Sequence, residues 1–166
     1  MVNCNQQTEI QREDCYNCFM IYYDYENFKN DTRKLIEEVR SFGPEAIVAV
    51  ARGGLTLAHA MAEGLDIREV ESIRTELYDN DKKRDAICIY GECNFLDKKC
   101  VLVVDDIADS GDTLEAVMQK LQADNPNAEF KSATLFYKKT SIHQPDFTVN
   151  EANDWIDFFW DRDFKL

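Results

Sequence analysis

The densest group of chemically useful side chains is Asp105-Asp106-Ile107-Ala108-Asp109-Ser110-Gly111-Asp112-Thr113, directly after the apolar run Cys100-Val101-Leu102-Val103-Val104. Three carboxylates within five positions repel one another unless a cation or hydrogen-bond donors compensate them. The second half of the stretch suits an anion. Backbone N–H groups from Ser110 to Thr113, in a tight turn at a helix start, can wrap a phosphate, with Gly111 permitting close approach and two hydroxyls adding donors. Asp105 and Asp106 can accept hydrogen bonds from vicinal sugar hydroxyls and, directly or through water, hold Mg²⁺. The plainer alternative is that Asp109 or Ser110 caps a helix and the acidic pair is a solvated strand end. The other common phosphate-binding patterns, G-x-x-x-x-G-K-[ST] and G-x-G-x-x-G, do not occur in the chain.

These residues need strands and helices to position them. Ala46-Ile47-Val48-Ala49-Val50-Ala51 is apolar on both faces, as a central parallel strand covered by helices would be, and it runs into Arg52-Gly53-Gly54 and a short helix to Gly64. Cys100 to Val104 is the strongest strand signal. After it Leu114, Val117, Met118 and Leu121 recur at helical spacing up to Asn125-Pro126. A further helix is predicted from Asn30 or Asp31, with Leu35, Val39 and Phe42 on one face and Gly43-Pro44 as its stop. Val70 to Ile73 and Ser132 to Phe136 read as strands, and the charged stretch from Asp79 to Asp85 as a mobile loop. Strands alternating with helices predict an α/β fold with an open, mainly parallel sheet, whose ligands bind beyond the carboxyl ends of the strands.

Composition bounds the partners. The chain has 166 residues, 45% hydrophobic and 31% charged, with a formal net charge of −13. One globular domain, residues 22–166, is expected after a polar N-terminal extension at 1–21. Nucleic-acid binding relies on Lys and Arg to neutralise phosphates, so such a partner is disfavoured. An anionic substrate must instead be held at short range, since free charge is screened beyond about 8 Å. The start of the chain lacks the basic and apolar regions of a secretory signal, and Ala46–Ala51 is far shorter than the roughly 20 residues of a membrane helix. A cytoplasmic location without membrane contact is expected. There the six cysteines are read as free thiols rather than as a disulfide set or, for Cys15 and Cys18, half of a zinc site.

The stretch from Val101 to Thr113 resembles the phosphoribosyl-pyrophosphate signature of type I phosphoribosyltransferases, an apolar strand followed by two acidic residues and a Thr/Ser-Gly-x-Thr phosphate loop. More narrowly, the chain resembles the xanthine-guanine and hypoxanthine-guanine phosphoribosyltransferases, which implies the type I fold with a flexible catalytic loop and a small C-terminal base-binding hood. On that resemblance Asp105, Asp106, Asp109, Ser110, Gly111, Asp112 and Thr113 bind the phosphoribosyl group, with Mg²⁺ at Asp105 and Asp106. Arg52, Gly53 and Gly54 resemble the loop that embraces pyrophosphate. Leu77-Tyr78 resembles the start of the catalytic loop, although many relatives have Ser-Tyr there; an ordinary surface loop is the alternative. Phe136-Tyr137-Lys138 resembles the strand end whose lysine donates to the purine 6-oxo group, with Lys139 as a rival. Trp155-Ile156-Asp157-Phe158-Phe159-Trp160-Asp161 resembles the base hood, with Trp155 stacking on the purine, Ile156 and Asp161 at the base and Trp160 packing.

The implied activity is transfer of ribose 5-phosphate from phosphoribosyl pyrophosphate to a 6-oxopurine, guanine, xanthine or hypoxanthine. Asp109 would handle the base proton and Arg52 would stabilise departing pyrophosphate. Competing readings are a non-catalytic nucleotide-sensing regulator of the same fold and a transferase for another base such as adenine. The apolar Phe158-Phe159 pair, read as exposed, and the habit of the family imply a homodimer or homotetramer.

Overall fold

The computed structural model describes residues 20–78, 86–95 and 97–165. In chain order the elements are β1 (Met20–Tyr23), α1 (Tyr25–Val39), β2 (Ala46–Ala51), α2 (Gly54–Leu65), β3 (Val70–Tyr78), β4 (Ala86–Tyr90), β5 (Cys100–Ala108), α3 (Asp112–Asp124), β6 (Glu129–Tyr137), β7 (Phe147–Glu151), β8 (Trp155–Phe158) and α4 (Phe159–Arg162). Six strands form one sheet in the order β4-β3-β2-β5-β6-β7, while β1 and β8 pair separately. All pairs in the large sheet are parallel except β3 with β4, so the expected open, mainly parallel α/β sheet is observed.

Alternation along the central strands builds two cores. Ile47 and Ala49 of β2, with Leu102 and Val104 of β5, face α1 and α2 and meet Leu35, Leu57 and Met61. The intervening Ala46, Val48, Val50, Val101 and Val103 point the other way, onto Leu114, Val117 and Leu121 of α3. Both faces of β2 and β5 are thus covered, which is why these strands read as continuous apolar runs.

Three boundaries differ from the sequence reading. Helix α1 begins a turn and a half earlier than Asn30, because the Asp24 carboxylate accepts the Asn27 N–H at 2.8 Å and Phe28 supplies an additional buried anchor. Met20 and Ile21, assigned above to the extension, pair with Trp155 and Ile156 in β1–β8. Leu77 and Tyr78 are the last residues of β3, paired with Ile87 and Ala86 of β4, and not the start of a loop. Cross-strand pairing with a partner later in the chain, invisible to local pattern, extends β3 past Ile73. The charged stretch at 79–85, and Cys15 and Cys18, lie outside the described residues.

The Phe158-Phe159 pair is also corrected. Phe158 is buried, stacked on Trp160 at 4.6 Å between ring centroids, and Phe159 packs edge-on to Phe28 at 5.6 Å. They anchor the C-terminal segment and offer no exposed apolar patch. Among the described residues, no helix is long and apolar enough to cross a membrane.

Candidate active site

The carboxyl ends of β2, β3 and β5 open onto a cleft of about 660 Å³ lined by Ala51, Arg52, Gly53, Arg74, Glu76, Asp105, Asp106, Thr113 and Asp161, among others. The Ala51–Arg52 peptide is cis, and the chain turns through Gly53 into α2. Both glycines are required by close approach. A Cβ on Gly53 would overlap the Asp106 carboxyl group, and one on Gly54 would strike the Val104 carbonyl oxygen and reach 3.0 Å from Asp105 Cα. The Arg-Gly-Gly turn therefore lies directly against the acidic pair.

Asp105 is 9% exposed and accepts the Asp106 N–H at 2.9 Å and the Gly54 N–H. Burial, and then the neighbouring Asp106 charge, push its carboxyl well above the usual carboxylate range despite those donors. Asp106 is pushed up to about 6, first by burial, with Asp161 adding repulsion and the Ile107 N–H opposing the shift. A buried and a half-buried carboxyl in adjacent positions, both with raised proton affinity, form a hard-oxygen donor pair of the kind that Mg²⁺ takes.

Beyond Ala108, a cradle of about 90 Å³ is lined by Asp105, Asp109, Ser110, Gly111 and Thr113, among others, at the N-terminus of α3. Gly111 has φ +85° and occupies the cap position, with no side-chain cap hydrogen bond. Neither Asp109 nor Ser110 caps the helix; Ser110 Oγ accepts the Asp112 N–H only at 3.4 Å. Asp112 opens the first turn of α3 and is exposed.

A third pocket, about 200 Å³, joins Asp106, Ile107, Asp109, Lys138, Asp154, Trp155, Ile156, Phe158 and Asp161. Trp155 is 58% exposed, leaving an indole surface for a planar ligand, while Ile156 is buried beneath it. Lys138 Nζ lies 2.6 Å from Asp109 Oδ1. Lys139 lies 2.7 Å from Glu151 and does not line this pocket. Trp160 packs on Phe158 and Phe28.

The structure thus gathers every site residue named from the sequence around these three spaces, apart from Leu77 and Tyr78 in β3 and Asp112 and Gly54 at their margins. Arg74, Glu76 and Asp154 went unnoticed. The signal for Arg74 was available in principle, because parallel strands of one sheet end at one level: Arg74 is the register partner of Ala51, beside the Arg52 turn.

A family model for the phosphoribosyl transferase domain matches residues 20–165. The chain belongs to this family. A xanthine-guanine phosphoribosyltransferase of Roseobacter denitrificans is 34% identical over 154 residues, spanning 84% of each chain. That of Idiomarina loihiensis is 31% identical over 144 residues, covering 84% of this chain and 86% of its own. Among solved structures, the Helicobacter pylori xanthine-guanine-hypoxanthine phosphoribosyltransferase superimposes with a TM-score of 0.82 at 40% identity, over 87% of this chain and 95% of that one. The type I phosphoribosyltransferase fold expected from the Val101–Thr113 stretch is therefore the fold of this chain.

The surroundings of Asp105 and Asp106 disfavour their charged forms. Asp106 has a folded-state proton affinity above its ordinary value of 3.8, so its contribution to stability is full below about pH 3.8 and is lost as pH rises through about 6. Asp106→Asn removes that penalty and keeps an acceptor for the Ile107 N–H. At pH 7.5, in chelator and without substrate, the variant is expected to be more stable by about 1–3 kcal/mol, a melting-temperature rise of several degrees, with the gap narrowing at pH 5. Thermal denaturation of both proteins at the two pH values checks this; a less stable variant at pH 7.5 would contradict the raised proton affinity of the pair.

Proposed function

We propose that this protein is a Mg²⁺-dependent purine salvage enzyme that transfers ribose 5-phosphate from phosphoribosyl pyrophosphate to guanine, xanthine or hypoxanthine, giving the nucleoside monophosphate and pyrophosphate. The observation that carries the proposal is the sharing of carboxylates between adjoining spaces. Asp106 and Asp161 line both the cleft and the Trp155 pocket, and Asp109 lines both that pocket and the phosphate cradle. A sugar over Asp105 and Asp106 would thereby present its anomeric carbon between a base and a pyrophosphate.

In this arrangement the Ser110-to-Thr113 turn binds the 5-phosphate through backbone N–H groups at the start of α3. Arg52 and the Gly53-Gly54 turn face the pyrophosphate, and the acidic pair accepts from the ribose hydroxyls. Asp105 and Asp106 would hold the metal, which when bound supplies positive charge to the departing pyrophosphate. A purine nitrogen forms the new bond to the anomeric carbon as the bond to pyrophosphate oxygen breaks, and Asp109 accepts the proton that the base gives up. Carboxylates beneath the ring stabilise the positive charge that develops on it.

Lys138 sets the base class. An ammonium has three donor hydrogens and no acceptor, so with one engaged by Asp109 it still favours a carbonyl over an amino group at the purine 6-position. Steady-state kcat/KM for guanine, xanthine, hypoxanthine and adenine is the test. Wild type is expected to prefer the oxopurines. Lys138→Ala is expected to narrow the gap to adenine by about 5- to 150-fold, the range set by leaving a buried polar group unpaired at ~1–3 kcal/mol. Trp155→Ala is expected to raise KM for every accepted base with little change in selectivity, because stacking depends on the face and not the edge of the purine. Adenine as the preferred wild-type substrate would overturn the assignment. The homodimer or homotetramer rests on family habit, now that Phe158 is buried and the half-buried Phe159 packs on Phe28.

A further inference from the structure

Between β6 and β7 the chain crosses behind the phosphate cradle, and its contacts there exceed what a surface connection needs. Lys138 N–H donates to the Ala108 carbonyl at 3.0 Å and Ile142 N–H to the Ser110 carbonyl at 2.8 Å. The Cβ-less face of Gly111 is filled by the same segment: a methyl there would overlap Ser141 Oγ and lie 2.6 Å from the His143 N–H nitrogen. Ser141 Oγ donates to the His143 carbonyl at 2.7 Å. One strap therefore carries Lys138 at its start and supports the loop of Ser110 and Gly111 at its middle.

The His143 ring fastens that strap at both of its nitrogens. Nδ1 lies 2.8 Å from Glu115 Oε2, in the first turn of α3, and Nε2 lies 3.1 Å from Ser132 Oγ on β6. Ser132 is fully buried and also bonds Asp146, its hydroxyl donating to Oδ2 at 3.0 Å and its N–H to the same oxygen at 2.8 Å. The succession of Ser132, His143 and Glu115 has the residue types of a nucleophile–base–acid set, but a serine with no exposed surface cannot attack a substrate. Its consequence is mechanical.

We infer that His143 is a positioning residue that holds the phosphate cradle and Lys138 in fixed relation by pinning the strap between α3 and β6. This rests on the function proposed above. Without the ring, the strap keeps its Asp146–Ser132 bonds to β6 but loses its tie to α3, so the Ile142–Ser110 bond and the approach of Lys138 to the base pocket are held less firmly. Loss of the pin should therefore weaken both substrates together, while the chemistry of a correctly bound pair proceeds as before.

His143→Ala is expected to raise KM for phosphoribosyl pyrophosphate and for guanine by about tenfold each, the effect of one net hydrogen bond to a charged group, with kcat within about twofold. Glu115→Gln, on the solvent side of the pin, should give a smaller shift of the same kind, and the double variant should be no worse than His143→Ala, since both break one tie. Asn150→Ala, which removes bonds to Asp31 at 2.8 Å and the Leu135 carbonyl at 3.4 Å away from the strap, serves as the stability control. It should lower the melting temperature without moving either KM. The affinity of ribose 5-phosphate, measured by titration calorimetry, reads the cradle without turnover and should fall in parallel for His143→Ala. Unchanged KM values and affinity in both pin variants, or equal shifts in Asn150→Ala, would overturn the inference. Absence of transfer by wild type, with the calorimetric shift intact, would instead remove the proposed activity and leave the pin standing.

Discussion

Asp109→Asn is expected to lower kcat by about 10²–10⁴-fold, the range for loss of a general acid–base group, with little change in either KM. Asparagine preserves the shape of the side chain and can still accept from Lys138, which sits 2.6 Å from Asp109 Oδ1, but it cannot take a proton at neutral pH. The alternative role for this residue, capping α3, is absent: the cap position belongs to Gly111, and the side chain that reaches the helix start is that of Ser110, at 3.4 Å from the Asp112 N–H. A structural explanation of lost activity would then require a loss of stability, which the cap geometry gives no reason to expect. Pre-steady-state turnover with both substrates saturating, alongside a melting curve, separates the two. A folded Asp109→Asn protein with wild-type kcat would remove Asp109 from the chemistry.

Removal of divalent cations is expected to abolish turnover, and re-addition of Mg²⁺ to restore it. Asp105 and Asp106 are held close by fixed backbone, each with its proton affinity raised chiefly by burial. A polyanionic substrate brought against that pair without a cation adds repulsion to a site already short of positive charge, with Arg52 on the Gly53 turn as a nearby cation. Full activity in excess EDTA, with metal content verified, would show that the pair works by hydrogen bonding alone. The stabilisation expected of Asp106→Asn and the loss expected on chelation have one origin, the raised proton affinity of the adjacent carboxyls.

The parts legible in the sequence were those whose information is local. β2, β5 and α3 announce themselves because burial on both faces makes an apolar run, and the helix repeats Leu114, Val117 and Leu121 along one side. The turn from Ser110 to Thr113 at the start of α3 was legible because its glycine, hydroxyls and carboxylates are adjacent in the chain. Other features depend on partners far along the chain. β4, β7 and the β1–β8 pair are strands of only four or five residues that exist through pairing, so local periodicity passed over them. The end of β3 was misread for the same reason. Arg74 became visible only when register placed it beside Ala51, and the fate of Phe158 and Phe159 only when Phe28 and Trp160 were seen to enclose them. Composition had suggested an exposed patch because two adjacent phenylalanines carry no sign of which way a terminal segment folds.

The two-stranded β1–β8 pairing has a consequence for heating and breathing of the protein. β8 carries Trp155 and Ile156, and its partner strand is supplied by Met20 to Tyr23, three of whose four residues are exposed; the same ends are joined again by Tyr22 donating to Asp163 at 2.8 Å, 141 positions away. So small a sheet opens at a cost well below that of unfolding the six-stranded core, whose central strands are buried on both sides. Partial opening would loosen Trp155 in the pocket it lines while β5 stays rigid between β2 and β6. If Trp155 stacks on the purine as proposed, grip on the base would then fade at temperatures where the sugar phosphate is still held, and the upper limit of catalysis would be set by the β1–β8 pair, which reaches the core through Tyr23, Ile156 and Phe158, and not by the six-stranded sheet.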